Sequence, residues 1–173
     1  FESMWQDLRD IDALDQVSPY LMNHGVEVRD RQKDDAPVVI PKATQQIAVR
    51  TQAQIIKTGK MPPGTNALFL TYSQLQGVPA NARRLVVSTI ANGQSLFVMD
   101  EAHNAAGNRN ATKSPSGETN LPVAGFIYQA IANAPVVYLS ATFSKRADTI
   151  GVYYRTSMTD AVDSPDVIQS LAE

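Results

Sequence analysis

Short apolar runs, each ending in polar side chains and separated by about a helix of chain, restrict this sequence to an alternating α/β architecture. The clearest run is Leu96-Phe97-Val98-Met99, which passes directly into Asp100-Glu101-Ala102-His103. Its length and apolar continuity are those of a buried strand. A second run, Val136-Val137-Tyr138-Leu139, passes into Ser140-Ala141-Thr142. Ser140 follows His103 by 37 positions, and residues 121–133 read as a helix between the two runs. Strand, crossover helix and parallel strand fit that interval. The two strand ends are then neighbours, with Ser140 and Thr142 in hydrogen-bond reach of Asp100 or His103.

The rest of the chain alternates in the same way. Residues 2–9 and about 12–22 read as helical, with Trp5, Leu8 and Ile11 at helical spacing. Val26–Val28 and Pro37–Ile40 are short strand candidates on either side of a charged loop at 29–36. A helix is expected over 43–58, a turn over 61–66, and a strand over 67–71. Helices follow at 80–91, with Leu85, Val86 and Ile90 on one face, and at 145–155. The last residues, 167–172, also have a helical pattern. Residues 104–120 are rich in Gly, Ser, Asn and Thr and predict a mobile loop. Strands alternating with helices argue for an α/β fold, a parallel sheet flanked by helices. No internal repeat is visible.

Composition narrows the function classes. A chain of 173 residues with 43% hydrophobic side chains has the prior of one domain with a packed core. There is no cysteine, hence neither a disulfide framework nor a thiolate metal site. No apolar run approaches the roughly 18 residues of a membrane span, so no membrane partner is expected. The net charge of −2 gives no basic footprint for nucleic acid, although backbone amides and hydroxyls also contact phosphates. His24 and His103 lack the spacing of a zinc site, and no serine sits in a G-x-S-x-G elbow.

In open α/β sheets, ligands bind at the carboxyl ends of strands. An acidic pair there suits nucleotide hydrolysis. Asp100 would hold Mg²⁺, usually through water, and Glu101 would polarise the attacking water. Ser140 and Thr142 can also serve simply as caps of a following helix. Thr71, Tyr72 and Ser73 follow a strand and are candidates for touching a nucleic-acid backbone or stacking a base, or for an ordinary strand end. Lys145 and Arg146 read as a solvated helix face; a role in the site would follow only from family resemblance.

Asp-Glu-Ala-His followed by Ser-Ala-Thr resembles motifs II and III of superfamily 2 helicases and translocases. The longer stretches "LFVMDEAHNAAG" and "VVYLSATFSKRADTIGVYYRT" are similar to the strawberry-notch-like helicase family, and "FLTYSQL" and "WQDLRDI" resemble segments that precede motif II there. The similarity is tight over 96–155 and loose over 1–75. It implies a RecA-like (P-loop NTPase) lobe of an ATP-driven motor, with ATP and Mg²⁺ as cofactors. The implied partner is nucleic acid, DNA ahead of RNA, and the implied location is intracellular (cytoplasm, nucleus or nucleoid). His103, with Ser140 and Thr142, would couple the phosphate site to movement. Yet G-x-x-x-x-G-K-[ST] is absent. The only Gly-Lys, Gly59-Lys60, is followed by Met61, with Gln54 in the first glycine's place. An arginine motif of a second lobe is also missing. The expectation is therefore a partial lobe over 1–173, whose phosphate loop and second lobe lie elsewhere in the same parent. The alternative is a catalytically inactive RecA-like module that binds nucleic acid or protein.

Overall fold

The computed structural model describes residues 2–10, 16–31, 33–77, 81–113, 119–140 and 147–157. It is a mixed α/β chain with short parallel strand pairs flanked by helices. The chain divides into two compact units, Phe1–Thr71 and Tyr72–Glu173.

In the first unit, α1 (Glu2–Asp10) is followed by β1 (Pro19–Leu21), β2 (Val28–Arg29), β3 (Val38–Ile40), α2 (Gln45–Thr58) and β4 (Ala67–Phe69). β1 and β4 pair in parallel, Pro19 opposite Ala67 and Leu21 opposite Phe69. β2 and β3 pair antiparallel. The helical expectation for 12–22 fails at Pro19–Leu21, and 11–15 lie outside the described residues. A side chain far along the chain, Asn66, directs this segment. Its side chain accepts from Ser18 N–H at 2.7 Å and donates to Gln16 O at 2.7 Å, aligning that segment with the start of β4.

α2 has both of its caps in the sequence. The Thr44 hydroxyl accepts from Ile47 N–H at 3.3 Å. Gly59 closes the helix at φ 67°, donating its N–H to Ile55 O at 2.8 Å, a left-handed position that glycine takes without penalty. Between the caps, Ala48, Gln52 and Ile55 recur at helical spacing and are buried. Gly59 therefore ends a helix, whereas the Gly-Lys of a phosphate loop opens one.

The second unit holds the strand ends of interest. A 3₁₀ turn, Tyr72–Leu75, leads to α3 (Asn81–Ile90), β5 (Phe97–Asp100) and a second 3₁₀ turn, Ala102–Ala105. Then come the hairpin β6 (Thr112–Lys113) and β7 (Thr119–Asn120), α4 (Val123–Ala130), β8 (Val136–Leu139) and a 3₁₀ segment, Ala147–Tyr153. The loop expected at 104–120 thus carries the end of a turn and a hairpin. Residues 114–118 and 167–172 lie outside the described residues. The helix expected at 145–155 is the 3₁₀ segment, with 145 and 146 not described.

β5 and β8 pair in parallel with α4 in the connection, Phe97 opposite Val136 and Asp100 opposite Leu139. The described strands join only two by two, not as one continuous parallel sheet. In α3, Val86 and Val87 are buried while Leu85 is 54% exposed, so the buried face is turned one residue from the expected one. The core is completed by Leu75, Met99, Phe126, Ile127, Ile131 and Ile150.

Two arginines tie these elements together through backbone carbonyls. Arg84 on α3 donates to Leu75 O through Nε at 2.9 Å and Nη2 at 2.6 Å, and to Leu121 O at 2.6 Å. Its guanidinium also lies over the Phe126 ring, 5.3 Å from the centroid. Arg155 donates to Ile131 O at 2.8 Å and to Ala132 O, two carbonyls just past the end of α4, the first of which also accepts from Ala134 N–H at 3.3 Å. At Gly125 the chain passes so close that a Cβ would stand 2.4 Å from Arg109 O and 2.7 Å from Leu121 Cδ1.

Candidate functional site

The site begins where β5 ends. Phe97 N–H donates to Pro135 O at 2.9 Å and Glu101 N–H to Leu139 O at 2.7 Å. Odd-numbered residues of β5 therefore point their backbone groups at β8, and Asp100 points its own at the opposite edge. There the Tyr72 hydroxyl donates to Asp100 O at 2.8 Å.

At Glu101 the chain leaves the strand sharply. Its backbone is left-handed, φ 47° and ψ 51°, a conformation that costs a non-glycine residue about 1–2 kcal/mol. Asn104 N–H then donates to Glu101 O at 2.9 Å, forming the turn that carries His103. Such strain persists only where surrounding contacts over-determine it, and it clusters at functional sites.

Those contacts are visible. Because Asp100 is registered to Leu139, the next residues, Glu101 and Ser140, come side by side. Ser140 Oγ donates to Glu101 Oε2 at 3.1 Å. His103 Nδ1 lies 3.2 Å from Ser140 Oγ and 3.2 Å from Glu101 Oε2. The three side chains thus form a closed triangle. The serine proton goes to the carboxylate, so a neutral His103 ring carries its proton on Nδ1 and presents it to Ser140 and Glu101. Nε2 is then an acceptor, buried and without a hydrogen-bond partner among the described residues. The Glu101 side chain is 48% exposed and that of His103 only 6%. One end of the triangle faces solvent and the other is sealed.

This is not a serine-hydrolase relay. In such a relay, serine and carboxylate meet opposite ring nitrogens. Here both meet Nδ1. The hydroxyl and the imidazole orient the carboxylate.

Two tyrosines line the same strand ends. Tyr153 is buried, and burial pushes its phenol pKa up, with Glu101 adding to the rise and the Ser140 hydroxyl working against it. Burial likewise raises Tyr72, and the nearby Asp100, Tyr153 and Glu101 push the same way. Both phenols are held in the protonated form. Tyr138, on β8, is raised to about 12, mainly by burial. Its hydroxyl donates to Val152 O at 2.9 Å, and its ring packs on Tyr153 at 5.0 Å between centroids.

Of the residues expected at the site, Asp100, Glu101, His103 and Ser140 come together, and Ser140 reaches Glu101 and His103 rather than Asp100. Thr142, Lys145 and Arg146 lie outside the described residues. Thr71 and Ser73 are exposed, whereas Tyr72 turns its hydroxyl into the site. Tyr153 carries no signal in the sequence beyond its aromatic character. The Tyr72 bond could be foreseen only by knowing which edge of β5 meets the Tyr72–Leu75 turn.

Among the described residues no group of three or more His, Cys, Asp or Glu is placed to hold a metal ion. Asp100 and Glu101 supply two adjacent carboxylates at an exposed strand end. That donor set suits Mg²⁺, which takes one or two carboxylates and fills its shell with water and substrate phosphate. A shallow recess nearby, lined by Ala105, Gly107, Arg109, Tyr128 and Gly151, contains none of the acids. Among the described residues no helix is long and apolar enough to cross a membrane. The chain matches no protein-family model, no curated protein and no solved structure.

Proposed function

We propose that this chain forms part of the ATPase core of a superfamily 2 nucleic-acid helicase or translocase, resembling the strawberry-notch-like family. The observation that carries the reading is the contact of Glu101 with Ser140 and His103 across the ends of two parallel strands. It puts the acid of the first motif against the hydroxyl of the second, where the resemblance expects them to be coupled.

In this reading Asp100 would hold Mg²⁺ through water, and the ion, when bound, neutralises charge on the phosphates. Glu101 would accept the proton of the attacking water. Its carboxylate is oriented by Ser140 and His103, and its half-exposed side chain leaves water a path to it. Ser140 stands on a different strand from Glu101, so any displacement of the β8 end alters the orientation of the acid. Thr71 and Ser73 remain the candidate contacts to a nucleic-acid track. The reading needs a phosphate loop and a second lobe, and the sequence motif of neither occurs in these 173 residues.

Steady-state phosphate release tests it. The 173-residue chain alone should show no ATPase above background. A protein that joins this segment to a phosphate loop and a second lobe should hydrolyse ATP, and its Glu101→Gln variant should bind ATP and release no phosphate. Full turnover by that variant would remove Glu101 from the role of base. Nucleic-acid binding by the wild-type assembly with no hydrolysis at all would favour the inactive interaction module.

A further inference from the structure

The peptide group between Asp100 and Glu101 is held at both of its polar atoms. Its N–H donates to Leu139 O at 2.7 Å on one side, and its C=O accepts from the Tyr72 hydroxyl at 2.8 Å on the other. Rotating this peptide plane out of position breaks both bonds. The plane's orientation sets ψ of Asp100 and φ of Glu101, the torsion that stands at an unfavourable 47°. Strand β8 supplies one clamp as ordinary sheet pairing. The other comes from a side chain 28 positions upstream.

We propose that Tyr72 is a positioning residue for the acidic pair, holding the Asp100–Glu101 peptide so that the Glu101 carboxylate stays on Ser140 and His103. The hydroxyl is suited to this. It is half-buried, and among the described residues no strand pairs with β5 on the side of Asp100 O. The turn that carries it is anchored independently. Arg84 fixes Leu75 O at its last residue, and Arg83 donates to Gln74 O at 3.4 Å. Tyr72 is thus fixed to α3 on one side and to the acidic strand end on the other. A ligand that moves the Tyr72–Leu75 turn would pull on the Glu101 torsion directly. Without the hydroxyl the peptide can rotate, Glu101 relaxes to negative φ, and its carboxylate leaves the triangle.

The catalytic consequence rests on the function proposed above, while the structural clamp does not, and the experiment separates the two. Amide hydrogen exchange is measured on the 173-residue chain and its Tyr72→Phe variant, which keeps the ring and loses only the hydroxyl. The Glu101 amide should exchange about tenfold faster in the variant, as one neutral hydrogen bond is lost from its peptide. The Phe97 amide, bonded to Pro135 O on the same strand, should not change. Unchanged exchange at Glu101 overturns the proposal, as does equal acceleration at Phe97, which signals general loosening. In an ATP-hydrolysing assembly that contains this segment, Tyr72→Phe should lower kcat about tenfold and leave KM for ATP unchanged. An unchanged kcat there, with Glu101 exchange accelerated, overturns the positioning role. An assembly with no ATPase counts against the function, and the exchange result then decides the clamp alone.

Discussion

Ser140 donates its hydroxyl hydrogen to Glu101 Oε2 across 3.1 Å, from the end of one parallel strand to the end of its neighbour. The contact depends on register. Asp100 stands opposite Leu139, and a slip of one residue would turn Ser140 to the other face. The acid is therefore oriented by strand pairing as much as by its own rotamer.

Removing that donor should affect chemistry more than binding. In an ATP-hydrolysing assembly, Ser140→Ala should leave ATP affinity within about twofold and lower kcat roughly tenfold or more, since hydrogen bonds to charged groups contribute about 1.5–3 kcal/mol. Nucleic-acid-stimulated hydrolysis should fall further than basal hydrolysis. Parallel losses in affinity and turnover would indicate a folding defect instead.

Strain at Glu101 gives a test that needs no activity. Glu101→Gly and Glu101→Ala both remove the carboxylate and its contacts. They differ in the backbone, because glycine takes φ 47° freely and alanine does not. Chemical denaturation should show the glycine variant more stable than the alanine variant by about 1 kcal/mol. Equal stabilities would mean that the left-handed torsion is not held in solution.

The pairing of β5 with β8 was legible because each run is apolar, long enough for a strand, and separated by one helix. The α2 caps were legible for a similar reason, since Thr44 and Gly59 act within their own turn. Pro19–Leu21 was not. A three-residue strand has too few alternations to outweigh helical spacing nearby, and its pairing is directed by Asn66, far along the chain. Leu85 shares helical spacing with Val86 and Ile90 yet is exposed, because period alone leaves a helix's rotation uncertain by a residue. The left-handed Glu101 was hidden for a deeper reason. Glutamate has no local preference for that torsion, and the groups that enforce it, Tyr72 and Leu139, arrive from distant segments.

Gly125 marks a close approach that any side chain would close. Its missing Cβ would stand 2.4 Å from Arg109 O, a backbone atom that cannot rotate away. Gly125→Ala sits in a helix, where alanine is intrinsically favoured by about 1 kcal/mol. Overpacking should still prevail and leave the variant about 1–3 kcal/mol less stable in urea unfolding. A variant as stable as wild type would show that the 107–110 segment moves off α4 at little cost.

The tyrosine cluster predicts the alkaline limit of stability. In the unfolded chain Tyr138 ionises at its ordinary value of 10.0, and in the folded chain at about 12, chiefly because burial disfavours the phenolate. Between those values the unfolded chain has given up a proton that the folded chain still holds, so rising pH favours unfolding. The stabilising contribution is complete below the unfolded value and is lost as pH climbs through the folded one. Tyr138→Phe removes this titration along with the bond to Val152 O. At pH 8 the variant should be less stable than wild type by about 1 kcal/mol, the net value of one hydrogen bond. As the pH rises from 10 towards 12 the gap should narrow, because only the wild type loses the Tyr138 contribution. Tyr72, Tyr153 and Tyr154 are also raised, so the variant still loses stability, on a shallower slope. Urea unfolding of both chains at pH 8, 10 and 11 measures this, and a gap that stays constant through pH 11 would show that Tyr138 does not titrate with folding.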